Sequence, residues 1–242
     1  MALARFKDLC LDVQDEARQV PFWTAALGLR RRADRTDPTV LLGETAHHSL
    51  WLNTVPEPKT VKNRVHLDVD TESVAALEAL GATVLVPATR EQGWTIMADP
   101  EGGEFCAFVR TPERLSGYRL YEVVVDCADP GRMARWWGEV LGLPVGSDQE
   151  HDWWWLDAGP DAALPFESLV FVPVPEPRTG KNRVHWDVDT PSIEALVAAG
   201  ARVLEERPDW TVLADPEGNV FCAFVEPPPN ASGGRGPRVT SP

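Results

Sequence analysis

Residues Val55 to Thr71 read VPEPKTVKNRVHLDVDT, and residues Val174 to Thr190 read VPEPRTGKNRVHWDVDT. Fourteen of the 17 positions are identical at an offset of 119, so the chain carries an internal repeat. The match continues on both sides. WTIMADPEGGEFCAFV (Trp94 to Val109) returns as WTVLADPEGNVFCAFV (Trp210 to Val225), and LDVQDEARQVPFWTAALGL, from Leu11, is echoed by VDCADPGRMARWWGEVLGL, from Val125. The offsets drift from 114 to 119, which marks small insertions and deletions between the matched segments. The chain is therefore two copies of one unit, expected as domains at 1–112 and 117–228. The linker lies near Thr111 to Gly117, and a tail at 229–242, rich in Pro, Gly and Ser, is expected to be disordered.

Each copy alternates in the same way. Leu9 to Val13 alternates with period two and predicts a strand; a helix then starts at Asp15 and stops at Leu27-Gly28. The second copy begins that helix with Asp129 as N-cap and Pro130 in the first turn, whereas Pro21 falls inside the first copy's helix, where it should kink it or delay its start. Strand-like stretches follow near 30–35, 39–44 and 49–55. Then come strand 64–70, helix 72–80 and strands 83–86, 94–98 and 104–109, the last entered through the turn Asp99-Pro100-Glu101-Gly102. Each copy is thus β-α-β-β-β twice, an α+β protein of four such modules.

Composition narrows the function classes. Lys plus Arg is 23 against 37 Asp plus Glu, a net charge of −14, which disfavours nucleic acid and anionic lipid as partners. No apolar run is long enough to span a bilayer and the N-terminus has no signal-peptide core, so a cytoplasmic location and no membrane partner are expected. The four cysteines, Cys10, Cys106, Cys127 and Cys222, form no CxxC or zinc-finger spacing and are expected as reduced thiols. The preference for Arg over Lys suggests a bacterial gene of high GC content.

The paired modules, the LGL that closes each first helix, KNRVHLDVD and WTIMADPEGGEFCAFV together resemble the vicinal-oxygen-chelate (VOC) superfamily, in its glyoxalase-like and bleomycin-resistance-like branch. The resemblance implies a tandem VOC fold: two cup-shaped eight-stranded sheets with helices outside, ligand in the cup. Each copy is expected to close its own cup, with exchange of modules between copies as the open alternative. The resemblance also implies a metal site built from the first, fourth, fifth and eighth strands. Those positions fall here on Asp8 and Glu122, near Asn53 and Val172, on His66 and His185, and on Cys106 and Cys222 in place of a carboxylate. That substitution argues against dioxygenase chemistry. No cofactor is expected, and a divalent metal on an Asp- or Glu-His-Cys set is the alternative.

Alternation assigns the faces. On the fifth strand Val65, Leu67 and Val69 oppose Arg64, His66, Asp68 and Asp70; in the second copy Val184, Trp186 and Val188 oppose Arg183, His185, Asp187 and Asp189. The polar faces are expected to line the cups. Candidate catalytic residues are His66 and His185. Candidate ligand-binding residues are Asp8, Asn53, Arg64, Asp68, Cys106, Glu122, Arg183, Asp187, Cys222, Trp94 and Trp210. Arg64 and Arg183 are read either as donors to an acidic ligand or as partners of Asp68 and Asp187; Lys62 and Lys181 are read as solvated. The first cup is expected to join His66 to Asp8 and Asn53. The second is expected to join His185 to Glu122 and Val172 beside the tryptophan run 153–155, and to be the better ligand site.

Two functions follow. One is a protein that binds a small aromatic or hydrophobic molecule, of the drug-sequestration type. The other is a lyase or isomerase acting on a small carbonyl compound with His as general base. The sequence leaves open which, as it does whether the protein is a homodimer.

Overall fold

The computed structural model describes residues 2–33, 38–45, 47–115, 117–159, 163–176 and 179–226. The expected disordered tail lies outside them, as do residues 34 and 35 of the strand expected near 30–35. The first repeat holds β1 (Arg5–Val13), α1 (Glu16–Ala26), β2 (Arg30–Arg31), β3 (Thr39–Leu42) and β4 (Ser49–Thr54). It continues with β5 (Val65–Thr71), α2 (Val74–Ala79), β6 (Thr83–Val86), β7 (Thr95–Ala98) and β8 (Glu104–Val109). The second repeat holds β9 (Leu120–Cys127), α3 (Pro130–Leu141), β10 (Val145–Asp148), β11 (Trp153–Asp157) and β12 (Ser168–Pro173). It ends with β13 (Val184–Thr190), α4 (Ile193–Ala198), β14 (Arg202–Glu206), β15 (Thr211–Ala214) and β16 (Val220–Val225). Asp15 caps α1 through the Arg18 N–H, and Pro21 sits on the exposed side of the helix without delaying its start.

These elements build two eight-stranded sheets, and neither sheet belongs to one repeat. The first sheet runs β14-β15-β16-β13-β1-β4-β3-β2 and the second β10-β11-β12-β9-β5-β8-β7-β6. The expectation that each copy closes its own cup is therefore overturned: each cup takes half of each repeat. The ten-residue stretches 55–64 and 174–183 are the crossovers between sheets. Val55 N–H still bonds Val13 C=O in the first sheet, and Arg64 C=O accepts from Asp126 N–H in the second, at 2.8 Å each. The twin crossover does the same in reverse: Val174 N–H bonds Cys127 C=O in the second sheet at 3.0 Å, and Arg183 C=O accepts from Asp12 N–H in the first at 2.8 Å.

The apolar strand faces and the two long helices share one core. Phe22 and Trp23 of α1 pack edge-on against Phe105 of β8, while Trp137 of α3 packs against Trp186 of β13 and Phe221 of β16. Each of these helices also contacts strands of its own module, so it joins both sheets. Trp137, Trp186, Phe22, Phe105 and Phe221 are fully buried, and burial of a large side chain stabilises by about 1.5–3 kcal/mol. The Asp-Pro-Glu-Gly turns add a polar link. Glu101 accepts from the Gln14 and Asp15 N–H groups at the start of α1, and Glu217 from those of Ala128 and Asp129 at the start of α3.

Candidate functional site

With apolar residues on the helix side, the alternate residues of the central strands face the cups. In the first sheet Cys10 of β1 lies opposite His185 of β13, and Asp8 opposite Asp187. Cys222 of β16 is next to Asp187, and Asn53 of β4 is next to Asp12. In the second sheet His66 of β5 lies opposite Val124 of β9, Asp68 opposite Glu122, and Cys106 of β8 is next to Asp68. Val172 pairs with Asp126 in that same sheet. His66 is thus separated from Asp8 and Asn53, and His185 from Glu122, Val172 and the tryptophan run. Both expected constellations are corrected: the first-strand neighbours of each histidine come from the other repeat.

Two clusters result. The ligand atoms of Cys10, His185 and Asp187 lie within 4.8 Å of one another, as do those of His66, Asp68 and Cys106. Cys10 was not among the expected residues; its clue is that it shares the face of Asp8 and Asp12 on an alternating strand. Burial pushes both histidines down to about 4, so both imidazoles are neutral at pH 7. Burial, helped by Asp8, pushes Asp187 up to about 7; burial and Glu122 hold Asp68 well above the usual carboxylate range. Glu122 itself is pushed up to about 7 by burial and by Glu167. Burial also raises the thiols of Cys10, Cys106 and Cys222, with the neighbouring aspartate adding to it.

The surroundings of the two clusters differ. Around the second sheet's cluster Trp94 stacks on Phe108 at 5.7 Å, Tyr121 meets Phe108 edge-on at 5.3 Å, and Trp153 meets Trp94 at 6.2 Å. The Arg110 guanidinium lies over Phe108 at 5.0 Å and Tyr121 at 4.5 Å, and its Nε donates to Asp70 at 2.6 Å. Trp154 turns to the helix side, under Arg135 of α3, while Trp155 covers Gly146 of β10, where a Cβ would collide with the indole. In the first sheet Trp210 stacks on Phe224 at 5.9 Å, and Lys7 takes the cation's place, 5.2 Å over Phe224 and 3.4 Å from Asp189. A cleft of about 530 Å³ opens at this end, lined among others by Lys7, Asp8, His47, Leu143, Leu164 and Asp189.

The basic residues of the KNRVH run serve the crossovers. Arg64 and Lys62 hold Asp126 at 3.2 and 2.7 Å, Arg64 is also 3.5 Å from Glu176, and Lys181 holds Asp12 at 2.6 Å. Arg183 is 3.9 Å from Glu101. Of the two readings of the arginines, pairing with Asp68 and Asp187 is therefore corrected; the lysines are exposed, as read from the sequence, and each is also tied to a buried carboxylate. Alternation puts Asp12 and Asp126 at equivalent places on the polar faces of the echoed first strands, but it does not reveal their pairing with the crossover lysines.

A profile of the glyoxalase-like domain matches residues 8–108 and again 122–224. Glyoxalase I from Zea mays is 14% identical, with 92% of each chain covered and a TM-score of 0.62. The cppA protein from Streptococcus pneumoniae is 12% identical, with 92% of this chain and 99% of that chain covered and a TM-score of 0.50. No curated protein matches. Likeness at this identity is likeness of fold. No helix among the described residues is long and apolar enough to cross a membrane.

Proposed function

The chain belongs to the glyoxalase-like domain family, and from that premise we propose that it binds a small, flat aromatic or hydrophobic molecule in the cup of the second sheet, as a sequestering protein. The observation that carries this reading is the aromatic frame of Trp94, Phe108, Tyr121 and Trp153 around Arg110. Its rings already accommodate one planar cation, the Arg110 guanidinium. Nη2 of that group is buried without a hydrogen-bond partner and supplies a donor for an acceptor on the ligand. A ring laid against Trp94 or Trp153 gains stacking of about 0.5–1.5 kcal/mol per contact.

The test is tryptophan quenching by a panel of planar heteroaromatic compounds. Trp94→Ala and Trp153→Ala should each weaken binding by roughly two- to tenfold, the equivalent of that stacking energy. Trp210→Ala in the first sheet should change it little. A larger loss with Trp210→Ala would move the site to the first sheet, and absence of quenching by every compound would remove the reading.

Enzymatic lyase or isomerase action is the second reading, favoured by Glu122. A carboxylate pushed up to about 7 is matched to proton transfer at neutral pH, better than imidazoles held near 4. Turnover of a small carbonyl compound that is abolished by Glu122→Gln would establish it.

A further inference from the structure

We propose that the cleft at the N-terminal end of β1 is a second binding site, separate from the cup of the second sheet, and that it takes a free α-amino acid with a large apolar side chain. The cleft measures about 530 Å³, within the roughly 300–1,000 Å³ common for small-molecule sites. Its wall is of two kinds. Leu141 and Leu143, where α3 ends, and Leu164 and Pro165, ahead of β12, make an apolar part. Lys7 and Asp8 of β1 and Asp189 of β13 make a part that carries both signs of charge.

Lys7 carries the assignment. Lys59, Lys62 and Lys181 hold their carboxylates at 2.8, 2.7 and 2.6 Å. Lys7 stands off, with Nζ 3.4 Å from Asp189 and 4.0 Å from Oδ2 of Asp8, longer than the roughly 2.7–3.2 Å of a formed hydrogen bond. Its three N–H donors are open to an acceptor in the cleft. Oδ1 of Asp8 accepts from Ser49 Oγ at 2.7 Å, whereas its Oδ2 and the Asp189 carboxylate accept no hydrogen bond among the described residues. Arg5, also at the cleft, is engaged by Glu226. One ammonium between two carboxylates fits a zwitterion: the ligand's carboxylate on Lys7, its ammonium on Asp8 and Asp189. A ligand with one charge alone would meet a like charge left without compensation. The side chain then lies against the leucines, where its burial supplies affinity.

The equivalent place beside the second sheet is built differently. Tyr121 stands there for Lys7 and packs on Phe108, and the cation comes from Arg110 instead, bonded to Asp70 at 2.6 Å. Tyr118 stands for Ala4 and stacks on His48 at 4.2 Å, a pair of rings where the first sheet has a methyl group. One amino-acid site per chain follows.

Isothermal titration of the full-length protein with L-leucine and with L-phenylalanine should show one equivalent bound. N-acetyl-L-leucine lacks the ammonium and L-leucinamide lacks the carboxylate, and each should bind roughly tenfold or more weakly, the loss of one charge-assisted contact. Lys7→Met keeps the length of the side chain and should weaken L-leucine to the same degree, with an unchanged circular dichroism spectrum. Leu143→Ser, at a half-buried position, should weaken it severalfold. Trp94→Ala, in the other cup, should leave it unchanged. Absence of binding by both amino acids overturns the proposal. So does equal affinity for L-leucine and its two analogues, a result that needs no variant, and so does binding that survives Lys7→Met. Loss of L-leucine binding with Trp94→Ala overturns it as well, by moving the amino acid into the second sheet.

Discussion

Glu122 and His66 face one cup, and their proton affinities pull stability in opposite directions. Glu122 titrates near 7 in the folded protein against an ordinary 4.5, so between these values the folded chain holds a proton that the unfolded chain has lost. Its contribution therefore falls as pH rises from about 4.5 to 7. His66 titrates near 4 against an ordinary 6.5, so there the unfolded chain holds the extra proton, and stability is lost as pH falls from 6.5 to 4. We expect Glu122→Gln to be more stable than the parent at pH 8 and to lose that advantage at pH 4, as read by urea unfolding at the two pH values. Equal effects at both would mean that the carboxylate is not desolvated. We also expect the His66 and His185 imidazole resonances to stay in their neutral positions down to about pH 5 in an NMR titration. The residue types of both clusters were legible in alternation alone, because Leu9-Cys10-Leu11-Asp12 and Val184-His185-Trp186-Asp187 each send one set to the cup. What alternation could not tell was the register between strands, and with it the choice between Asp8 and Cys10 as the neighbour of His185.

At the scale of elements, strand and helix positions followed the sequence closely. The expected strand at 104–109 is β8 to the residue, and the helix expected at 72–80 forms as α2, capped by Ser73. Hidden from the sequence was the second task of the Asp-Pro-Glu-Gly turn. Read as a turn it needs only Pro and Gly; the Glu is used at a distance of 87 residues, on the N-terminus of α1. A carboxylate there satisfies unpaired N–H groups and meets the positive end of the helix dipole. Removing it should cost about 0.5–2 kcal/mol, the range measured for lost N-caps. Glu101→Ala and Glu217→Ala should each lower the free energy of unfolding by that amount, and because the two contacts share no partner their effects should add. A double variant no less stable than either single one would show that the contact is incidental.

For the whole molecule, the repeats were plain and the pairing of their halves was not. The reason lies in the crossovers. Asp12 and Asp126 occupy equivalent positions, and Lys62 on Asp126 makes the same contact as Lys181 on Asp12. An unexchanged chain would form the same bonds between the same residue types, so nothing local distinguishes the two arrangements. The exchanged topology has a consequence for the isolated repeat. Residues 1–112 contain one half of each sheet, β1–β4 and β5–β8, and in the full chain these halves do not pair as one sheet. Alone, β1 would lose β13 and β5 would lose β9, the central pairings of both sheets. A second copy of the fragment can restore both pairings, since its β5–β8 half carries the KNRVHLDVD strand in place of β13. We therefore expect fragment 1–112 to be a dimer, with a thermal midpoint that rises with concentration. Fragment 117–226 should behave alike, and mixing the two should yield a heterodimer with the tryptophan fluorescence of the full chain. A stably folded monomer of 1–112 by analytical ultracentrifugation would mean that each repeat closes on itself and that the exchange is not required by the fold.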